Sequence, residues 1–428
     1  MQIVENLSVK EKVYIDKLEN GLTVMVIPKK ETQKKYVIWG TNYGSVDNEF
    51  IVPGEKEITK VPNGIAHFLE HKMFEQPDGT NSLDTLTALG VNANAYTTND
   101  HTAYLFECTD NFYEALDELM DYVQHPYFTD ENVQKEQGII GQEIMMYDDY
   151  PSWKVYLNAL QAMYKKNPIR IDITGTIDTI SKINKELLYK CYSTFYHPSN
   201  MVMVLCGDFE PEKIVQEIKK RLLKKESQSE IKRIYPTEPE EINQKIITEN
   251  MEVSIPLFVI GYKMPEEAEQ TEERKIIKHI AIEILLNILI GKSSELYQKL
   301  YEKGLLLSEP DLSFDFAKSY AYIMITGQSN NPEEVEKEWK KQVEKYKMNG
   351  ISEEEFQRVK KTIYGNYVKE YNDVGDIARM FLADYFKGIN SFGYLEQYEA
   401  VSKDCVEDVL KQYLLEEKEV LSIVKPKV

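Results

Sequence analysis

The stretch GIAHFLEHKMFE, residues 64 to 75, places two histidines and a glutamate close together in an otherwise apolar segment. On a helix, residues four apart share a face, so His67 and His71 would aim imidazole nitrogens at one point. Glu70 lies three residues after His67 and flanks that point. Zn²⁺ takes imidazole ligands at about 2.0–2.1 Å, but a catalytic zinc site needs a third ligand and an open position. The segment therefore predicts two of the three protein ligands of a metal ion.

The order of these three residues makes the interpretation more specific. His-x-x-Glu-His is the inverted form of the HExxH pattern of zinc peptidases. With six histidines in 428 residues, the order arises by chance on the order of one time in a hundred. The alternative is a pair of half-buried histidines that donate to backbone carbonyls. A single histidine would usually be of that kind, whereas the trio favours a metal site.

The missing ligand is expected to be a carboxylate on a neighbouring element. Glu136 and Glu143 lie seven residues apart on one predicted helix, and therefore near the same face. Gly138 and Gly141 lie between them and would let that helix approach closely. A solvated acidic helix face is the ordinary interpretation of glutamates at this spacing. The chemistry of the residues does not choose between Glu136 and Glu143.

Hydrophobic patterning predicts the elements that must position these residues. Strands are predicted over 22–30, 34–45 and 200–209, a strand or hairpin over 91–109, and helices over 110–124, 129–149 and 211–225. The helix that carries His67 follows a polar loop, and Asn63 is its expected N-cap. The helix over 129–149 begins with a threonine cap.

The second part of the chain repeats the order of elements of the first. AYIMITGQSNNPEEVEKEWKKQVEKYKMNGISEEEFQRVKKTIY matches AYLFECTDNFYEALDELMDYVQHPYFTDENVQKEQGII in elements and spacing, which indicates an internal duplication of about 200 residues. In this register Val359 lies under Glu136, and Asn366 lies under Glu143. Only one copy carries the acids, as expected for a single active site in a duplicated scaffold. The charged, aperiodic segment 226–241 is the predicted linker.

Composition excludes several classes of partner. The chain has 71 Asp and Glu against 51 Lys and Arg, a net charge of −20, which argues against nucleic acid or an anionic membrane surface as the main partner. No segment approaches 18 uninterrupted apolar residues, and the N-terminus lacks the apolar region of a signal peptide. Four dispersed cysteines without a CxxC pair predict structural thiols. We therefore expect a globular cytoplasmic protein.

Three stretches together resemble a known family. HFLEH, followed by NANAYTTNDHTAYLFE and then by EQGIIGQEIMMYDD, resembles the pitrilysin or insulinase family of zinc metallopeptidases, in particular its short bacterial branch similar to the mitochondrial processing peptidase. The later ITGTIDTISKI and YHPSNMVMVLCGDF extend the resemblance over essentially the whole chain. It implies one zinc ion held by His67, His71 and Glu143. Glu136 would be a supporting acid, and Glu70 would be the general base that takes a proton from water.

The resemblance also implies a fold and a way to bind substrate. The fold class would be α+β, with two duplicated halves that face each other as a clamshell, each a mostly antiparallel sheet with packed helices. Residues 1–225 would form the zinc-binding half, and 242–428 a homologous half without metal ligands. Asn94, Ala95 and Tyr96 match the family's edge strand, which adds a peptide substrate as a further strand. An ordinary sheet strand is the alternative for these three residues.

The sequence departs from the family in its second half. Many members carry an arginine and, four residues later, a tyrosine that bind substrate and stabilise the oxyanion. In GKSSELYQKLYEKGLLLSE, Lys303 and Leu307 occupy those places. Leucine cannot donate a hydrogen bond, and loss of one such donor typically costs about 10²–10³ in rate. Either a related subunit in a homodimer or heterodimer supplies the arginine and tyrosine, or the register contains a gap and Tyr297 or Tyr301 serves.

The function predicted from the sequence is a zinc-dependent endopeptidase that hydrolyses unfolded or short peptides. One form of this function is a processing peptidase whose site is completed by a related partner subunit. The alternative is a non-catalytic structural subunit of a peptidase-like complex, in which the fold persists and the metal site decays. The intact set of His67, Glu70, His71 and Glu143 argues against decay.

Overall fold

The computed structural model describes residues 1–226, 228–265 and 270–427. The chain forms two compact units, each built from three segments. The first unit contains Met1–Ile144, Asp172–Tyr235 and Val368–Phe392, and the second contains Met145–Ile171, Pro236–Tyr367 and Gly393–Val428. Among the helices of the described ranges, none has both the length and the apolar character needed to span a membrane.

Strands and helices follow one another along the chain in mixed order. The strands are β1 (Gln2–Asn6), β2 (Glu11–Lys17), β3 (Thr23–Pro28), β4 (Lys35–Thr41), β5 (Glu49–Ile51), β6 (Ile58–Lys60), β7 (Asn92–Thr97), β8 (Thr102–Cys108), β9 (Met201–Gly207), β10 (Lys232–Arg233), β11 (Ile246–Met251), β12 (Leu257–Met264), β13 (Asp311–Phe316), β14 (Ala321–Gln328) and β15 (Glu419–Pro426). The helices are α1 (Ile65–Lys72), α2 (Ser82–Ala88), α3 (Phe112–Gln124), α4 (Asp130–Asp148), α5 (Pro151–Met163), α6 (Ile177–Ile180), α7 (Lys185–Phe195), α8 (Pro211–Arg221), α9 (Glu272–Ile290), α10 (Glu295–Glu302), α11 (Pro332–Asn349), α12 (Glu353–Glu370), α13 (Val374–Lys387), α14 (Gly393–Glu396) and α15 (Lys403–Tyr413).

Each unit contains one large sheet. The sheet of the first unit has the order β1-β2-β3-β9-β4-β8-β7, and that of the second has the order β11-β15-β12-β14-β13. Strands β3 and β9 pair in parallel, as do β11 and β15, while the other neighbours in these sheets are antiparallel. The predicted α+β class, with two halves that each contain a mostly antiparallel sheet, is confirmed.

The two large sheets repeat one pairing pattern. Strands β11, β15, β12, β14 and β13 follow one another in space as β3, β9, β4, β8 and β7 do, and in both sets of five strands the parallel pair comes first. Chain order within the two sets also corresponds. The last strand of each set lies between its first two strands: β9 lies between β3 and β4, and β15 lies between β11 and β12. This is the pattern expected of an internal duplication.

One helix of each half packs on the sheet of the other half, which is why the compact units are discontinuous. Helix α5 precedes the predicted linker but packs on β12 and β15, whereas α13 follows the linker and packs on β4 and β9. The boundaries 1–225 and 242–428 stay a prediction about the extent of the duplicated halves. Within the predicted linker at 226–241, β10 pairs with β5 of the first unit.

Helix α1 begins differently from the prediction. Its N-cap is Gly64 and not Asn63, and the cap makes no side-chain hydrogen bond to the helix. Gly64 has φ of 92°, and a Cβ there would lie 2.5 Å from the carbonyl oxygen of Thr174. A glycine is therefore required at the start of α1. The Asn63 side chain instead accepts a hydrogen bond from Asn48 Nδ2 at 2.9 Å.

Helix α4 begins as predicted but does not need its glycines. The hydroxyl of Thr129 accepts from the amide of Asn132 at 3.1 Å, and Asn132 Oδ1 accepts from the amide of Thr129 at 2.9 Å, so the threonine cap is confirmed. A Cβ built on Gly138 or Gly141 meets no atom within 4 Å. The expectation that these two glycines permit close approach of α4 is therefore wrong.

The β7–β8 hairpin is held where its turn touches the loop after β4. The amides of Ser45 and Val46 donate to the carbonyls of Thr98 and Asn99, both at 3.1 Å. A Cβ on Gly44 would lie 2.3 Å from the Asn99 carbonyl oxygen, so the two backbones approach as closely as glycine allows. This contact fixes the position of the turn that joins β7 to β8.

Substitution of the two kinds of glycine should therefore change stability in opposite directions. Gly44→Ala should lower the free energy of unfolding by about 2 kcal/mol or more, since overpacking against fixed atoms typically costs about 1–3 kcal/mol. Gly138→Ala should raise it by about 0.5–1 kcal/mol, because alanine favours helix and the site is open. Urea unfolding of both variants tests this, and equal effects would contradict the packing described for Gly44.

Candidate metal centre

Helices α1 and α4 bring together the three residues expected to bind a metal. Nε2 of His67 lies 3.7 Å from Oε1 of Glu143, and Nε2 of His71 lies 3.6 Å from Oε2 of Glu143. One ligand atom from each residue lies within 4.8 Å of the other two. Across the described ranges, this is the single group of three or more His, Cys, Asp or Glu side chains that converges in this way.

The spacing of these atoms fits one zinc ion. Two ligands held about 2.0–2.1 Å from an ion at the tetrahedral angle are about 3.4 Å apart. The separations of 3.6 and 3.7 Å are close to that value, whereas they are longer than ordinary hydrogen bonds. Two imidazoles and one carboxylate are a ligand set found in catalytic zinc sites. The donor set and its spacing therefore suit the predicted ion.

The two imidazoles have different surroundings. His67 is buried, and burial together with the neighbouring His71 lowers the pKa of its imidazole to about 3. Its Nδ1 is buried and has no hydrogen-bond partner in the part of the chain that the structure describes. At neutral pH His67 is therefore uncharged, which is the form that binds metal.

Glu136 determines the orientation of His71. Nδ1 of His71 lies 3.1 Å from Oε1 of Glu136, a distance at which the imidazole N–H donates to the carboxylate. Burial would raise the pKa of the Glu136 carboxyl, but this hydrogen bond and the nearby Lys72 ammonium lower it below its ordinary value. With Nδ1 as donor, Nε2 is left free on the side of Glu143. Glu136 therefore lies beside Nδ1 of the His71 ring, and Glu143 lies on the side of Nε2.

Glu70 lies on the same helix and is almost fully buried. Its Oε2 accepts a hydrogen bond from the Thr97 hydroxyl at 2.6 Å. Burial raises the pKa of the Glu70 carboxyl to about 7, although the Thr97 hydrogen bond and the charge of His71 oppose that shift. A carboxyl with a pKa near neutrality can both accept and return a proton, as a general base and acid must.

The predicted substrate residues lie on β7, at the edge of the seven-stranded sheet. Strand β7 pairs with β8 on one side, and no described strand pairs with its other side. Asn94 is exposed, and its Oδ1 accepts from the amide of Ala95 at 2.9 Å. Tyr96 is half-buried and contacts the ring of His101 edge-on at a centroid distance of 5.6 Å. Thr97, which donates to Glu70, ends the same strand.

The residues discussed as oxyanion donors lie in the second unit. Lys303 is the C-cap of α10 and is exposed, and Leu307 follows in the next turn with 44% of its surface exposed. Tyr297 and Tyr301 lie on α10, with ring centroids 5.9 Å apart. A catalytic role for any of these residues stays a prediction.

Sequence reasoning missed two residues that contact the centre. Thr97 donates to Glu70, and the buried Lys72 lies 3.6 Å from Glu136 Oε2. Thr97 could have been proposed from its place at the end of the predicted edge strand. Lys72 gave a weaker signal, namely a charged residue at a position where an apolar one was expected on a buried helix.

Comparison with known proteins identifies the class. The family described as Insulinase (Peptidase family M16) matches residues 54–177, and that described as Peptidase M16 inactive domain matches residues 182–363. An uncharacterized zinc protease of Bacillus subtilis (strain 168), YmfH, is 38% identical over 429 residues, 99% of each chain. The crystal structure of an M16-like peptidase from Alicyclobacillus acidocaldarius has a TM-score of 0.93 at 32% identity and covers 99% of this chain and 100% of that one.

A third relative covers less of the chain. A mitochondrial-processing peptidase subunit beta of Arabidopsis thaliana is 30% identical over 167 residues, 38% of this chain and 31% of that one. Together with the fold and the centre, these similarities define a protein of the metallopeptidase class. The chain belongs to the insulinase family, peptidase family M16. The match described as inactive includes Val359, which aligns with Glu136, and ends before Asn366, which aligns with Glu143.

The raised pKa of Glu70 predicts how the zinc-free protein responds to pH. A folded-state pKa raised from 4.5 to about 7 stabilises the protein below pH 4.5, and this contribution of about 3 kcal/mol is lost as pH rises to 7. Glu70→Gln should therefore gain stability relative to the unmodified protein between pH 5 and pH 8. Urea unfolding in the presence of a chelator measures the difference. Glu136→Gln is the control and should show no such gain, because the pKa of Glu136 is lowered.

Given the expectation that Glu70 is the general base, the hydrogen bond from Thr97 predicts a separate effect on catalysis. Thr97→Val removes the hydroxyl with little change of shape, so Glu70 should lose its fixed orientation, and kcat should fall about tenfold with little change in KM. Thr97→Ser, which keeps the hydroxyl, should retain most of the activity. Equal loss in both variants would indicate that the methyl group, and not the hydrogen bond, is what matters.

Proposed function

We propose that the chain is a zinc-dependent endopeptidase that hydrolyses unfolded or short peptides. The observation that carries this proposal is the convergence of His67, His71 and Glu143, with the buried Glu70 on the same helix. The relatives named as zinc proteases support the metal and the reaction class. Residues suited to the roles of metal ligand and general base are all present in the first unit.

His67, His71 and Glu143 would hold the zinc ion, and Glu136 would hold the imidazole of His71. When bound there, zinc polarises a scissile carbonyl and lowers the pKa of water. Glu70 accepts a proton from the attacking water, and Thr97 keeps its carboxylate oriented for this transfer. The same carboxyl then returns the proton to the leaving amine.

Strand β7 is the proposed substrate-binding edge. Its free side can hydrogen-bond an extended peptide as a further strand, which places backbone carbonyls in a fixed register beside Glu70. Asn94, Ala95 and Tyr96 would contact the peptide along this edge. Because an added strand must be extended, this mode of binding favours unfolded or short peptides over folded proteins.

A related subunit, which differs from this chain at the positions of Lys303 and Leu307, would complete the site by supplying an arginine and a tyrosine. Support comes from Leu307, which cannot donate a hydrogen bond, and from a relative whose name describes it as a subunit. The four cysteines are free thiols, which suits a reducing compartment, and we propose a cytoplasmic location. A processing role, in which one bond of a longer chain is cut, would be consistent with these features.

The competing proposal is a non-catalytic subunit of a peptidase-like complex. Lys303 and Leu307 stand where many family members have the arginine and tyrosine that stabilise the oxyanion, and this difference favours the non-catalytic role. The convergence of His67, His71 and Glu143 and the buried Glu70 favour an enzyme. A metal site without turnover would be its signature.

Hydrolysis of a quenched fluorescent peptide without stable structure tests the function. The zinc-loaded chain should cleave it, alone or after addition of a related subunit that carries the arginine and tyrosine. Glu70→Gln should lower kcat by at least about 10³-fold, since the base is lost, while zinc content stays at one ion per chain. Full zinc content without hydrolysis, even with the related subunit present, would favour the structural role.

A further inference from the structure

Lys72 is a lysine with no solvent exposure at the end of α1. Its exposed fraction is 0%, and it follows His71 directly in sequence. Lysine is almost never fully buried unless its ammonium group is paired. Most of its neighbours in sequence are buried apolar residues, among them Leu69 and Met73. A charged group at this position therefore needs a specific reason.

The contacts of the ammonium group connect Lys72 to the metal centre. It forms an ion pair with Glu75 three residues later and lies 3.6 Å from Oε2 of Glu136. The other oxygen of Glu136, Oε1, accepts from Nδ1 of His71 at 3.1 Å. The carboxylate of Glu136 on α4 thus lies between two consecutive residues of α1, and each of its oxygens faces a different one.

This arrangement restricts the Glu136 carboxylate more than either contact would alone. A carboxylate held through one oxygen can still rotate about the bond that joins it to its side chain. When the second oxygen faces a cation, that rotation is opposed, and the first oxygen stays in line with the imidazole N–H. Because the imidazole turns with its N–H, the direction of Nε2 depends on the same contact.

A simpler role for Lys72 would involve Glu75 alone. The two residues are close in sequence, and their ion pair would satisfy the buried ammonium without Glu136. In that case Lys72 would stabilise the end of α1, and its loss would change folding without a specific effect on metal binding. The two roles therefore differ in whether the effect of Lys72 depends on Glu136.

We infer that Lys72 is a positioning residue of the metal centre, whose ammonium group orients Glu136 so that Glu136 holds His71 in its ligating orientation. The inference rests on the proposed function, since it assumes that His71 binds zinc. It extends the set of residues that determine zinc affinity to a side chain that touches neither the ion nor a ligand.

Zinc affinity measured by competition with a chromogenic chelator tests the inference in a double-mutant cycle. Lys72→Met keeps most of the apolar stem of the side chain and removes its charge, and it should weaken zinc binding by about 10-fold or more, as loss of a partner behind a ligating histidine typically does. In a Glu136→Gln background, Lys72→Met should change zinc affinity by less than threefold, because the carboxylate that Lys72 orients is no longer present. Glu75→Gln, the matched control, should change zinc affinity by less than threefold.

Other results would overturn the inference. Unchanged zinc affinity in Lys72→Met, or an equal loss with and without Glu136→Gln, would show that Lys72 does not act through Glu136. If Lys72→Met does not fold, the double variant Lys72→Met/Glu75→Gln takes its place, because it removes both charges of the close ion pair. Its zinc affinity is compared with that of Glu75→Gln. Failure of the double variant to fold as well would assign Lys72 to the fold alone. Absence of zinc binding by the unmodified chain would instead refute the proposed function.

Discussion

His67, Glu70 and Lys72 of α1 are buried and His71 is half-buried, and each of these polar side chains faces a polar group outside α1. His71 and Lys72 meet Glu136, His67 and His71 face Glu143, and Glu70 accepts from Thr97. Two of these partners come from α4 and one from the edge strand β7. The packing of α1 is therefore fixed by specific polar contacts as well as by apolar area, and a shift of either partner element would leave a buried group unsatisfied.

The charge of this region is as important as its geometry. Three carboxylates, those of Glu70, Glu136 and Glu143, surround two imidazoles, and the ammonium of Lys72 is shared with Glu75. Burial opposes the ionised form of each carboxylate, and the pKa of Glu143 is raised by burial and by its acidic neighbours. A divalent cation would reduce this repulsion. The surplus of negative charge is thus a physical reason for the centre to bind metal, beyond the identity of its ligands.

Much of the fold and the shared helix face of His67 and His71 could be predicted from the sequence, because both depend on local periodicity. The shared face of His67 and His71 follows from helical geometry alone. The strand or hairpin predicted over 91–109 corresponds to β7 and β8. The start of α1 could not be predicted, since the choice of Gly64 over Asn63 depends on the backbone of Thr174, far along the chain. Residue chemistry alone did not distinguish Glu136 from Glu143, because their different partners are set by tertiary packing.

Helix α5 packs on the second sheet and α13 packs on the first, and this affects when each unit can be completed during translation. The strands of the first sheet have all been synthesised by residue 207, but α13, which covers β4 and β9, begins only at residue 374. During translation the apolar surface under α13 has no helix of its own chain to cover it. The first sheet therefore stays partly uncovered until the nascent chain is nearly finished, and the unit that contains the candidate metal centre is completed only then.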